Sequence, residues 1–229
     1  MLVNSDQINA EYENLLSCWS NIDFCKVSRQ TLKLNECIKN NSSKNDIKNR
    51  IRKFHDIFGL KAHKQISFNA NDPSNLCSGS FYRTSKFINI KLKDRFFENK
   101  SHKKIHIEHT IPVEEIYNQI LIFQKFKNPN DLTSWLLNNS IATAFNYKQA
   151  NNCKFPNEYL IIKGYHSKSN VFNTKSPDFN KPFRRYALVE RNEEIWDVLN
   201  KRTIDPNKFT LQDHKKNILI IKEKLNLKI

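Results

Sequence analysis

The sequence predicts an α+β protein, and three observations carry that expectation. Apolar residues recur at helical spacing over residues 5–63 and again near the C-terminus. Two short β-like runs, 105–107 and 140–145, lie between those helical ends. The 229 residues are 38% hydrophobic and include sixteen Phe, enough for a substantial core. Soft boundaries near 64 and 190 divide the chain into an N-terminal helical region (1–63), a basic central region (64–190) and C-terminal helices (191–229).

Three helices are expected in the first region. Ser5 is placed to cap one in which Ile8, Tyr12, Leu15, Leu16 and Trp19 share a face. Val27, Leu32, Leu34 and Ile38 mark a second, less regular helix, and the polar run 40–43 separates it from the next. Asn45 or Ser43 caps a third, with Ile47, Ile51, Phe54, Ile57 and Phe58 on one face and Gly59 at its C-terminal end. Residues 81–92 alternate basic with aromatic or apolar side chains, the pattern of a half-buried strand. Arg83 and Lys86 on that strand are candidates for a nucleic-acid groove; the plainer reading is an ordinary basic strand.

The 105–107 run delivers Glu108 and His109, and Pro112 stops it because proline supplies no ladder donor. Adjacent strand residues point to opposite faces, so Glu108 and His109 cannot both face the core. A helix follows over 113–123 and another over 131–138, then the 140–145 strand, then a short helix over 146–152 with Asn146 as its cap. In the tail, Ile195, Trp196 and Leu199 suggest one helix; Thr210 and Asp213 form a capping box for another, through Ile218, Ile221 and Leu225.

Charge narrows the function classes. The net +15 favours polyanionic partners, and the excess is concentrated: residues 61–107 hold ten Lys/Arg against three Asp/Glu, directly upstream of Glu108. Five cysteines form no C-x-x-C pair, which argues against a structural zinc site and against a complete disulfide set. No signal peptide and no apolar run of about 18 residues is visible, so a cytoplasmic protein without membrane spans is expected. No Gly-rich phosphate loop exists, so no nucleotide cofactor is expected. His106-Ile107-Glu108 matches the H-x-E of zinc deaminases, but their Pro-Cys-x-x-Cys partner is missing. His55, His63, His102, His166 and His214 have no constellation around them in the sequence.

The order Glu108-His109-Thr110-Ile111-Pro112, then strand 140–145, then a capped helix bearing amides resembles the HNH (ββα-metal) nuclease motif. Pro182-Phe183-Arg184-Arg185-Tyr186 is similar to the end of small bacterial HNH restriction endonucleases. The resemblance covers roughly residues 100–190 and implies an α+β fold with a ββα-metal core embedded in a mostly helical protein. It also implies a metal-dependent DNA endonuclease, in its most specific form a type II restriction enzyme acting as a homodimer on double-stranded DNA. The residues carried over are His109 as general base, Glu108 and Gln149 as ligands of Mg2+ (or Mn2+), and Asn139 as the middle Asn. Gln149 departs from the usual Asn, His or acidic ligand, and Asn146, Asn151 or Asn152 are the other candidates. Lys103, Lys104, Arg184, Arg185 and Tyr186 are expected against DNA. The alternatives are a homing, phage or toxin nuclease, including one acting on RNA, and a nucleic-acid-binding protein without activity.

Independently of any resemblance, the pair suits phosphodiester hydrolysis. An imidazole with a pKa near 6.5 can take a proton from water at about neutral pH. A carboxylate can anchor Mg2+, which keeps several waters of its own.

Overall fold

The computed structural model describes residues 2–60, 79–90, 105–122, 126, 128–146, 171–187 and 194–227. Helices α1 (Ser5–Ser20), α2 (Phe24–Lys39) and α3 (Lys44–Ile57) open the chain. Each starts at a side chain that accepts from a free backbone N–H. Asn4 caps α1 in a capping box with Gln7, Asp23 caps α2, and Ser43 caps α3. Asn4, not Ser5, is therefore the α1 cap. Ile47, Ile51, Phe54 and His55 form the buried stripe of α3, and Gly59 follows its end with φ +66, a left-handed conformation that suits glycine.

Strand β1 is short (Tyr82–Thr84), because Thr84 turns it into the four-residue helix α4 (Ser85–Ile88) by accepting from Phe87 N–H. The strand expected over 81–92 thus ends at Thr84 as far as residue 90; 91 and 92 lie outside the described residues. Strand β2 (Ile105–His109) ends before Pro112, which leads into α5 (Val113–Ile122) with Glu114 and Glu115 in its first turn. Asn128 caps α6 (Pro129–Asn139), with Pro129 in the first turn where its missing N–H costs nothing. Strand β3 (Ala142–Asn146) follows.

After 171 come the short helix α7 (Arg184–Ala187), strands β4 (Ile195–Asp197) and β5 (Arg202–Thr203), and helix α8 (Leu211–Lys224), which carries the Thr210–Asp213 capping box. The segment around Ile195 and Trp196 is a strand where sequence spacing predicted a helix. Three antiparallel pairs with β1 override that spacing, and Ser85 N–H and Val198 N–H bond across the two ends of the pairing.

The strands form one sheet in the order β2-β3-β1-β4-β5, with β1 and β3 parallel and the other neighbours antiparallel. Alternation along β1 separates its faces. Tyr82 points toward Phe183, Phe209 and His214, while Arg83 points toward Glu11 and Asn14 of α1. Both faces are covered, so every β1 residue is buried. Elsewhere α2 packs on α3 and α6, α3 on α5, and α6 on α8. The fold is mixed α+β, and the tail beyond 190 completes the sheet of the central region. Among the described residues no helix is long and apolar enough to cross a membrane.

Candidate functional site

β2 is the outermost strand of the described sheet and pairs with β3 so that Glu108 faces Thr143 and His109 faces Ala142. Both Glu108 and His109 are half-buried. Their neighbours show the predicted alternation. Glu108 Oε2 accepts a 3.0 Å hydrogen bond from the Tyr186 hydroxyl of α7. His109 packs instead on His55 of α3, ring centroids 4.7 Å apart.

The Glu108 side of the strand is a cluster of hydroxyls. Thr110, two residues along and on the same face, has Oγ1 2.7 Å from Thr143 Oγ1 and 3.5 Å from the Tyr186 hydroxyl. Tyr186 is 4% exposed, and its ring packs against Phe145 and Phe183 at 5.6 and 6.1 Å. The packing fixes where its O–H can point.

The His109 side is different. His55 is fully buried, with Nε2 2.7 Å from Ser140 Oγ. Burial pushes the His55 imidazole well below its usual range, and the neighbouring His109 and Arg52 push the same way. The ring beneath His109 is therefore neutral near pH 7. Sequence reasoning missed this partner. The available signal was a histidine on the apolar stripe of α3, one residue after Phe54 and four after Ile51.

The other expected site residues scatter. Arg83 is 0% exposed: it ion-pairs with Glu11, donates Nε–H to the Ser80 carbonyl at 3.1 Å and reaches Asn14 at 3.2 Å. It is a core guanidinium, which corrects its placement in a nucleic-acid groove. Lys86 is exposed on α4. Arg184 is engaged by Asp178, Nε to Oδ1 3.0 Å, and by the Pro177 carbonyl. Asn139 is buried and its amide donates to the Trp135 carbonyl at 2.7 Å, closing the last turn of α6.

Asn146 ends β3 opposite Ile105, three register positions beyond the Glu108–Thr143 pair. At about 3.3 Å per residue that separation is roughly 10 Å along the strand. The side chain of Asn146 lies outside the described residues. Gln149, Asn151, Asn152, Lys103 and Lys104 lie outside the described residues, as does the helix expected after Asn146; the side chain of Arg185 is likewise not described.

Comparison with family models, curated proteins and solved structures gives no match for this chain. The site has to be judged on its own chemistry.

Among the described residues no group of three or more His, Cys, Asp and Glu is placed to hold a metal ion. A closed zinc site needs such a set. Mg2+ does not: it binds through one or two carboxylates, waters and substrate oxygens. Glu108, half-buried with one oxygen oriented by Tyr186, fits that second donor pattern.

Proposed function

We propose that this protein is a metal-dependent DNA endonuclease that hydrolyses phosphodiester bonds at Glu108 and His109. The observation that carries the reading is a meeting of two sequence features. Tyr186, beside the arginines of the 182–186 motif, donates to the carboxylate of the 108–112 motif across 78 positions of chain. Two segments that would contribute to one site are thereby in contact. An antiparallel strand pair such as β2–β3 is compatible with a ββα-metal core, and the net charge of +15 favours a polyanionic substrate.

In this reading His109 accepts the proton of a water as its oxygen attacks phosphorus, and the bond to the 3′ oxygen breaks. A divalent cation held on Glu108 would neutralise the scissile phosphate and the departing oxygen. The neutral His55 beneath His109 fixes the ring plane without adding a competing positive charge. Cleavage at defined sequences by a homodimer is the more specific form of the proposal, because two-fold DNA sites suit two-fold proteins.

The test is digestion of a defined plasmid by the purified protein with Mg2+ or Mn2+ and with EDTA. Cleavage that EDTA abolishes supports the reading. Discrete bands support restriction, a smear supports a non-specific nuclease, and an intact plasmid under all conditions overturns DNA cleavage. The packing of His109 against a buried ring also suits a purely structural imidazole, as in a nucleic-acid-binding protein without activity. Such a protein shifts DNA in a gel but never cuts it.

A further inference from the structure

We infer that the outer face of α8 is a homodimer interface, on which a second copy of this chain packs antiparallel about a two-fold axis. The inference gives the proposed homodimer its surface and does not depend on the chemistry at Glu108 and His109. The inner side of α8 is already complete: Leu211, His214, Asn217, Ile218 and Ile221 are buried against the rest of the molecule. The opposite side carries Gln212, Lys216, Leu219, Ile220 and Glu223, all exposed. Leu219 is 56% and Ile220 40% exposed, so two adjacent branched apolar side chains stand where the core does not use them.

The occupant follows from the charges. Lys216 lies three residues before Leu219 and Glu223 three after Ile220, so the face reads cation, apolar pair, anion. Their separation is close to two helical turns, which sets Lys216 and Glu223 on one line of the helix, roughly 10 Å apart. A two-fold axis level with the 219–220 peptide reverses that order in the second copy. Each Lys216 then stands opposite Glu223 of the other copy, and the Leu219–Ile220 pairs meet in the middle. A face complementary to itself in this way suits an isologous dimer, in which one patch serves both subunits.

Other arrangements fit less well. A parallel copy would set Lys216 against Lys216 and Glu223 against Glu223, like charges in both places. A phosphate backbone takes cations, whereas Leu219, Ile220 and Glu223 fill most of this face. Within one copy Lys216 touches Asp213 at 3.6 Å, yet its side chain stays 65% exposed and within reach of a neighbour.

Sedimentation equilibrium of the full-length protein over a wide concentration range reads the monomer–dimer constant. Salt near 0.15 M, with a Debye length of about 8 Å, screens much of the repulsion between two chains of net charge +15. Wild type is compared with Leu219→Lys, Lys216→Glu, Glu223→Lys and the double reversal Lys216→Glu with Glu223→Lys. Thermal midpoints of the dilute monomers serve as the folding control and should stay close together, because these positions are exposed.

Wild type is expected to dimerise. Leu219→Lys should weaken the dimer by about 100-fold or more, because two leucines per dimer lose their burial. Each single reversal should weaken it by about 10-fold, since two attractive pairs become repulsive, and the double reversal should recover most of that loss. A wild type that stays monomeric overturns the interface, and leaves cleavage at Glu108 and His109 to the plasmid test. A dimer indifferent to Leu219→Lys overturns it too, because the contact then lies elsewhere. Single reversals that weaken the dimer without recovery in the double reversal overturn the antiparallel pairing and the inference with it.

Discussion

Arg83 has no exposed surface, and its charge is answered inside the protein by Glu11 of α1. Removing one member of a buried ion pair leaves the other charge without compensation, which typically costs about 3–5 kcal/mol. Glu11→Ala should therefore lower unfolding stability by roughly that amount in a urea titration. The paired replacement Glu11→Leu with Arg83→Met should recover most of the loss, since an apolar pair removes both charges. A loss under about 1 kcal/mol in the single variant would mean that the pair carries no such weight. Gly79 makes a second residue-scale claim. A Cβ there would run into the Phe58 carbonyl oxygen, while the Gly79 carbonyl accepts from Trp19 Nε1–H at 3.1 Å. Because backbone cannot move aside as a side chain can, Gly79→Ala should cost on the order of 3 kcal/mol, again read from denaturation midpoints.

At the scale of elements, α8 is joined to the sheet by a buried polar chain. His214 Nε2–H donates to the Leu137 carbonyl at 3.1 Å, which leaves Nδ1 to accept from the Tyr82 hydroxyl at 2.8 Å. Asn217 donates to that hydroxyl and to Asp197, and Asn200 completes the set. Burial lowers the His214 pKa from 6.5 to about 4. The unfolded chain then binds a proton on this ring below about pH 6.5, and the folded protein only below about pH 4. The contribution of this ring is complete above the upper value and is lost as pH falls toward the lower one, by roughly 3 kcal/mol, while the raised pKa of Asp197 in the same chain acts in the opposite direction. The lowered His55 pKa acts in the same direction as that of His214. Urea midpoints should fall between pH 7.5 and 4.5, and His214→Gln should flatten part of that slope. Equal midpoints at both values would contradict the buried neutral ring.

Element by element, local chemistry was legible and long-range pairing was not. Ser43, Asp213 with Thr210, and Gly59 mark helix ends through contacts a few residues long, and the sequence shows them. The same holds for Glu108 and His109, whose alternation on β2 follows from the strand period alone. Arg83 read as a groove residue because its partner lies 72 positions away on α1. The strand β4 read as a helix because Ile195 and Leu199 fit that period, whereas its pairing with β1 depends on a strand more than a hundred residues earlier. His55 and His214 looked isolated for the same reason: the rings and carbonyls they meet come from distant segments.

For the whole molecule, the sheet order places Glu108 and His109 on the outermost described strand, with the buried Arg83–Glu11 pair two strands inward. Chemistry is thus proposed at the margin of a sheet whose centre is closed on both faces. The net charge of +15 suits a backbone of phosphates. The most direct measurement is single-turnover cleavage of a labelled duplex by wild type and His109→Ala in Mg2+, with affinity for the same duplex measured in EDTA. The account predicts cleavage by wild type and a fall of about 100-fold or more in His109→Ala, with duplex affinity nearly unchanged. Cleavage by His109→Ala at the wild-type rate, or no metal-dependent cleavage by wild type, would contradict it.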